Sequence, residues 1–402
     1  MANRVAITGI GALSALGHTA AEHLDALRAG RVGIGPTRNV DTEGLKVRIS
    51  GEVHGFDPKA HFDDRQIGLM DRTAQFAVLV AREAVQAAGA PFEGVEPERA
   101  GAIFAATVGY QAVDAGYQRI YEAKSRPHPF TVPKAMPSAA VSHVSIDLGL
   151  RGPAFSIASA CASAAHSVGT AFHMVRAGML DVAVAGGSET PLTPGMMRSW
   201  EALRVLSPDG CRPFSKDRNG LVLGEGAAAV VLEDWDRAKA RGATILAEMT
   251  GFGMSADAQD MTAPDATSAA RAVSLALKDG GHAPEEIDYV NAHGTATVLN
   301  DRTETAALRI VFGNRLAALP VSSTKSLYAH CMSAAGALDL VSTVFALRHG
   351  FLPPTMGFNE PDPECDIDCV PNASRPADIE TAISNAFAFG GLNAVLALRR
   401  AG

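Results

Sequence analysis

The chain contains 402 residues, 47% hydrophobic and 19% charged, with a formal net charge of −8. This composition supplies one large core or two domains and excludes a disordered or low-complexity chain. The acidic balance argues against general nucleic-acid or membrane-surface binding, so an acidic partner would require a local basic patch.

The N-terminal MANRVAITGIGA has neither the charged segment nor the uninterrupted apolar run of a secretory leader, and no apolar stretch approaches the roughly 20 residues that span a bilayer. The expectation is a soluble cytosolic protein. Short apolar runs at 5–8, 102–105, 182–185 and 228–232 read as buried strands, and the Ala-rich stretches 74–88 and 162–177 have the length of helices. Beyond Asp234 the pattern starts again, with strands near 244–251, 287–290, 321–323, 382–384 and 394–398 and helices near 268–279 and 334–348. This alternation predicts α/β layers in two halves, 1–240 and 241–402. Gly9, Gly11 and Gly17 lack the GxGxxG spacing of a dinucleotide site and read as turn glycines.

The five cysteines, at 161, 211, 331, 365 and 369, are scattered and odd in number, unlike a disulfide framework. Cys365 and Cys369 lie in an acidic loop-like segment without the second ligand pair that a zinc site needs, so no metal is expected there. Cys161 ends the apolar run 155–160 and opens a run of small helix formers. At that corner, the free N–H groups and positive end of the following helix favour thiolate and lower the thiol pKa. A buried structural cysteine is the alternative.

Two further segments bear on this choice. In YVNAHGTAT, 289–297, a strand runs into His293 and a glycine; in VSSTKSLYAHCMSAAGA, 321–337, Lys325 follows a short strand and His330 precedes a small-residue helix. One cysteine and two histidines at strand ends supply a nucleophile and two imidazoles where such ends converge. His166 and His173, inside the helix after Cys161, read as structural.

Cys161 in SACAS, His293 in NAHGTAT, Lys325 in SSTKS, His330, and the Gly-rich NAFAFGGLN at 385–393 together resemble an elongating β-ketoacyl-acyl-carrier-protein synthase, and the likeness runs from VAITGIGALSALG to the last strand. The resemblance implies a thiolase-like fold, two similar βαβαβ halves stacked as α-β-α-β-α layers, usually as a homodimer. It implies that Cys161 accepts an acyl chain from the phosphopantetheine arm of an acyl carrier protein, with no metal or redox cofactor. His293 and His330 would act on the malonyl thioester, Lys325 would organise His330, and Glu304 resembles the acidic partner of that lysine. Thr295 and Thr297 would bind the pantetheine arm. Backbone N–H groups of Cys161 and Phe389 would form the oxyanion hole, with Phe389 and Gly390 in the gating loop. Val108 and Tyr110 fall in the region that shapes the acyl pocket. Arg204, Arg65, Lys124, Arg126 and Lys134 are candidates for the basic carrier-docking patch.

The chain departs from the family pattern at Ala388 and Leu392 in the Gly-rich loop, at Ala329 and Ser333 around His330, and at Val298 and Asn300 after the AHGT motif. Residues 65–72, RQIGLMDR, lack the paired basic residues often found there. These changes leave the catalytic groups intact and bear on carrier docking, gate motion and acyl-chain choice. The alternatives are a non-catalytic partner subunit in a heterodimer, of the chain-length-factor kind, which typically lacks the nucleophilic cysteine, and a degradative thiolase, which carries a second active-site cysteine near the C-terminal Gly-rich loop.

Overall fold

A computed structural model describes residues 3–402. Its principal elements in chain order are β1 (Val5–Leu13), α1 (Arg72–Ala88), β2 (Ala100–Ala105), α2 (Tyr110–Tyr117), β3 (Ala154–Ile157), α3 (Ser163–Arg176), β4 (Val182–Glu189), α4 (Pro194–Ala202) and β5 (Gly226–Asp234). They continue with β6 (Ala247–Ala256), α5 (Ala266–Gly280), β7 (Tyr289–Asn291), α6 (Val298–Phe312), β8 (Val321–Ser322), α7 (Ala335–His349), β9 (Thr381–Ala388) and β10 (Leu392–Arg400). Each strand and helix expected from the sequence is present, most of them longer than the apolar run that marks them.

The ten strands form one sheet in the order β8-β7-β9-β10-β6-β1-β5-β4-β2-β3. The first five strands run β3-β2-β4-β5-β1 and the last five β8-β7-β9-β10-β6, so the same order occurs twice. The pairing senses also repeat. β2 is parallel to β3 and β4, as β7 is to β8 and β9, whereas β5 and β10 are antiparallel to both neighbours. The halves meet where β1 pairs antiparallel with β6.

Helix composition sets the layers. α7 is apolar around its whole circumference and buried from Ala335 to Leu347, so it belongs in a central layer. It packs against α3, and both helices touch strands of both halves, which requires the sheet to bend around them at the β1–β6 junction. α1 and α5 each bury one face, against β1 and β5 and against β6 and β10 respectively, and close the two outer layers. The result is the α-β-α-β-α stack of the thiolase-like fold.

Gly9 and Gly11 are not turn residues. They lie inside β1, where a Cβ would come within 2.0 Å of the Ala84 and Val80 carbonyl oxygens, so their lack of a side chain lets α1 lie directly on the strand. Cys365 and Cys369 are buried in the apolar core around α5 and α6. No helix of the described residues is long and apolar enough to cross a membrane.

Candidate active site

Cys161 sits between the end of β3 and the first turn of α3. Ala160 before it holds φ +48°, a left-handed conformation that costs a non-glycine residue about 1–3 kcal/mol, and this sharp corner turns the thiol toward the second half. His330 arrives from the loop after β8, fixed by its backbone N–H donating to the Val222 carbonyl at 2.8 Å and its carbonyl accepting from Gly224 at 3.0 Å. Its Nε2 lies 3.1 Å from Cys161 Sγ. His293, at the end of β7, meets His330 edge to face with ring centres 5.4 Å apart. Ligand-type atoms of Cys161, His293 and His330 all fall within 4.8 Å of one another. The three side chains are buried. Cysteine and histidine are also zinc-ligand types, and among the described residues this trio is the one cluster of three such side chains with the donor chemistry to hold a soft cation.

Lys325 is wholly buried and its Nζ donates to Asp339 Oδ2 at 2.6 Å. The acid expected in this position was Glu304. Glu304 instead accepts the backbone N–H groups of His293 at 2.8 Å and Gly294 at 2.7 Å, and the Asn385 side chain at 3.1 Å. It therefore shapes the turn that presents His293, whereas Asp339, on α7, pairs with the lysine and also accepts from the Tyr328 hydroxyl at 2.7 Å. The sequence signal for Asp339 is a lone acid in an otherwise apolar buried helix.

The electrostatics reverse one expectation. Burial pushes the Cys161 thiol up to about 12, whereas the Lys325 charge and the N–H groups of Cys161 and Phe389, which hydrogen-bond toward the sulfur, pull it down. Desolvation is the largest of these influences and favours the neutral thiol over the thiolate. Burial and the Lys325 charge also hold His293 and His330 well below the ordinary histidine range, so both rings are neutral at pH 7. Each then has one N–H and one lone pair, and the 3.1 Å contact is met by the thiol donating to Nε2 or by Nε2–H donating to sulfur.

A cavity of about 540 Å³ connects this cluster to the surface. Thr295, Thr297 and Phe389 line it, with Arg204 at its exposed rim. Thr297 caps the N-terminus of α6, and its hydroxyl lies 3.0 Å from that of Thr295. Phe389, at the turn between β9 and β10, stacks on Trp200 of α4 at 6.1 Å, and the N–H of Gly390 donates to the Met261 carbonyl at 2.7 Å. Val108 and Tyr110 do not line this cavity. The Tyr110 hydroxyl lies 2.9 Å from that of Thr107, which donates in turn to the buried Glu189 at 2.8 Å. Arg65, Lys124 and Arg126 are exposed and Lys134 is half-buried; none of these four reaches the cavity.

Two departures from the family pattern acquire a structural meaning. Ser333 donates to Glu189, so Glu189 ties the loop after His330 to the loop that carries Thr107 and Tyr110. Ala329 holds φ +69° and ψ −178°, a region that glycine enters freely and alanine does not. The sequence marks Ala329 and Ser333 as departures, but the Ser333–Glu189 contact depends on where loops distant in sequence meet.

A thiolase-like fold with a cysteine and two imidazoles buried at one end of a cavity places the chain among the cysteine-bearing members of that fold class. Residues 2–238 match the model of the beta-ketoacyl synthase N-terminal domain and residues 246–359 that of the C-terminal domain. The chain belongs to the beta-ketoacyl synthase family. It is 46% identical to "Nodulation protein E" of Rhizobium sp. (strain N33) over 402 residues, covering 100% of both chains. It is 38% identical to "3-oxoacyl-[acyl-carrier-protein] synthase 2" of Synechocystis sp., covering 99% of this chain and 98% of the relative. Among solved structures, "The ishigamide ketosynthase/chain length factor" superposes with a TM-score of 0.94 at 36% identity and covers 100% of both chains.

Proposed function

We propose that the chain is a β-ketoacyl-acyl-carrier-protein synthase that extends an acyl chain held on Cys161 by decarboxylative Claisen condensation with a malonyl thioester. The observation that carries this reading is the 3.1 Å approach of His330 Nε2 to Cys161 Sγ, with His293 in the same cluster. In the first half-reaction the thiol attacks the acyl thioester carbonyl. A new C–S bond forms, the old one breaks, and the thiol proton passes through His330 to the departing pantetheine sulfur. The N–H groups of Cys161 and Phe389 receive the developing oxyanion. A neutral thiol suits this order of events, because the charge arises only as the carbonyl is attacked.

In the second half-reaction His293 and His330 donate N–H groups to the malonyl thioester oxygen as CO2 leaves. The enolate carbon then attacks the acyl carbonyl on Cys161, a C–C bond forms, and the C–S bond to Cys161 breaks. The released thiolate takes up one proton from solvent. The charge of Lys325, held in place by Asp339, disfavours protonation of both rings and keeps them in their N–H-donating neutral form. The carbon, sulfur and proton balance closes without a metal or redox cofactor.

The relatives support a carrier-borne substrate and leave room for a specialised acyl pathway, since their names span nodulation, fatty-acyl and ketosynthase/chain-length-factor systems. A dimer is part of this reading. β3 ends the sheet with a free edge and an exposed Phe155, and Tyr117, Tyr121, Phe130, Val132 and Met136 are exposed nearby in sequence. Cys161 speaks for the catalytic rather than the chain-length-factor role in any such pair.

Intact-protein mass spectrometry tests the proposal. Acyl carrier protein should leave an acyl adduct on Cys161, and malonyl carrier protein should discharge it as a β-keto product two carbons longer. Equal acyl loading in the wild type and Cys161→Ala would sink the nucleophile assignment.

A further inference from the structure

His330 stands in a strained segment. Ala329 before it and Met332 after it hold φ +69° and +47°, left-handed conformations that persist in non-glycine residues only where neighbouring structure forces them. Among the described residues the ring's Nδ1 has no hydrogen-bond partner, so the aim of Nε2 at Cys161 follows from the backbone that carries the ring. Val222 and Gly224 pin that backbone at His330 itself. Three residues on, Ser333 is wholly buried. Its hydroxyl donates to Glu189 and lies 3.4 Å from the Ser188 carbonyl oxygen, and a Cβ on Gly187 would come within 3.1 Å of the Ser333 carbonyl oxygen. The last three residues of β4 therefore clasp it.

Glu189 ends β4 and is wholly buried. Hydroxyls hold its carboxylate: Ser333 on Oε2, and Thr107 at 2.8 Å from Oε1 and 2.9 Å from Oε2. Burial pushes the carboxyl up to about 7 against the pull of those donors, which makes it a costly group at a strand end. We propose that Glu189 is a positioning residue for His330: through Ser333 it holds the strained segment 329–333 in the shape that aims Nε2 at Cys161. The link is one that the family pattern does not imply, since Ser333 is among the positions where this chain departs from it. Its effect on rate rests on the condensing reading above; its effect on the ring does not. Glu189 also opposes ionisation of Cys161 by its charge, an effect that a neutral side chain with the same oxygen separates from the hydrogen bond.

The test reads the His330 ring and the loading of Cys161 in Ser333→Ala, Glu189→Leu and Glu189→Gln. In NMR spectra of protein carrying isotope-labelled histidine, the His330 signals are assigned by their loss in His330→Ala. Ser333→Ala and Glu189→Leu should move those signals and leave the ones of His282, which Thr250 holds beside the outer helix α5. Both should slow acyl loading from a series of free acyl-pantetheine thioesters, short to long, by about tenfold, the cost of a misaimed catalytic group. In the His330→Ala background neither should slow loading further, because a residue that acts through His330 has nothing left to act on. Glu189→Gln keeps an oxygen for Ser333, so it should hold the ring signals closer to the wild type than Glu189→Leu does and load near the wild-type rate. Unmoved His330 signals in Ser333→Ala, or an equal further slowing in the His330→Ala background, would overturn the assignment. Glu189→Gln as slow as Glu189→Leu would assign the effect to charge and overturn it equally. Each variant is checked for cooperative unfolding in urea, and if Glu189→Leu fails to fold, Ser333→Ala, which loses a single hydroxyl, decides. A wild type that loads from no thioester removes the condensing reading, while the ring signals still decide whether Glu189 positions His330.

Discussion

Lys325 Nζ lies 2.6 Å from Asp339 Oδ2, and neither side chain reaches solvent. The pair joins the segment that leads to His330 to the central helix α7 and leaves the lysine charge to act on Cys161, His293 and His330. Breaking it strands one buried charge, which costs about 3–5 kcal/mol. Lys325→Met and Asp339→Asn should each lower unfolding stability on that scale in urea titrations, and the double variant should cost less than the sum. Additive losses would show that the two residues do not act as a pair.

The Cys161 thiol is pushed up to about 12 by burial, helped down by Lys325 and pushed further up by the nearby Glu189 carboxylate. Alkylation of Cys161 by iodoacetamide should therefore be slow at pH 7 and rise steadily into alkaline pH. Glu189→Gln removes a negative charge and should shift that profile toward lower pH. Lys325→Met removes a positive charge and should shift it upward. Shifts of the same sign in both variants would contradict this electrostatic assignment.

Ala329 stands in a backbone region that favours glycine, directly before His330. Ala329→Gly releases strain of about 1–3 kcal/mol, set against about 0.5–1 kcal/mol of added chain entropy in the unfolded state. The variant should be more stable by about 1 kcal/mol, read as a rise in Tm, provided the backbone keeps its shape. A loss of stability would mean that the Ala329 methyl contributes more by packing than its backbone costs.

Burial pushes the Glu304 carboxyl up to about 7 from its ordinary value near 4.5, with His293, Gly294 and Asn385 donors opposing the shift. Because the folded pKa is the higher one, the native state binds more protons than the unfolded chain across this window, and the group's contribution falls as pH rises from about 4.5 to 7. Glu304→Gln, which cannot ionise, should gain stability relative to the wild type between pH 5 and 8, by about 1.4 kcal/mol for each tenfold difference in proton affinity. A constant difference across that range would show that Glu304 does not titrate there.

His330 touches Cys161 Sγ and His293 does not hydrogen-bond to it. On the proposed chemistry, His293→Ala should load an acyl group near the wild-type rate yet fail to release CO2 from a malonyl thioester. His330→Ala should slow both steps, loading by roughly the 100-fold expected for loss of a proton-transfer group. Mass spectrometry follows the first step and CO2 release the second. Normal loading in His330→Ala would confine that ring to decarboxylation.

The sequence by itself determined the α/β alternation, the succession of strands and helices along the chain, and the identity of Cys161, His293, Lys325 and His330. Each of these is written locally, as a run of apolar residues with a strand or helix period, or as a reactive side chain in a short motif that follows such a run. Tertiary structure decided what those residues face. Asp339 and Glu304 are both acids within reach of the motif by spacing, and only folding α7 through the centre of the molecule brings Asp339 to Lys325 and leaves Glu304 behind the His293 turn. The thiol pKa likewise could not follow from its place before a helix, because the helix end acts locally whereas desolvation is imposed by every layer that closes over the site. Gly9 and Gly11 show the same division. Their small size is plain in the sequence, but that it serves to seat α1 on β1, and not to make a turn, depends on a helix that begins sixty-one residues after Gly11 and packs back across it.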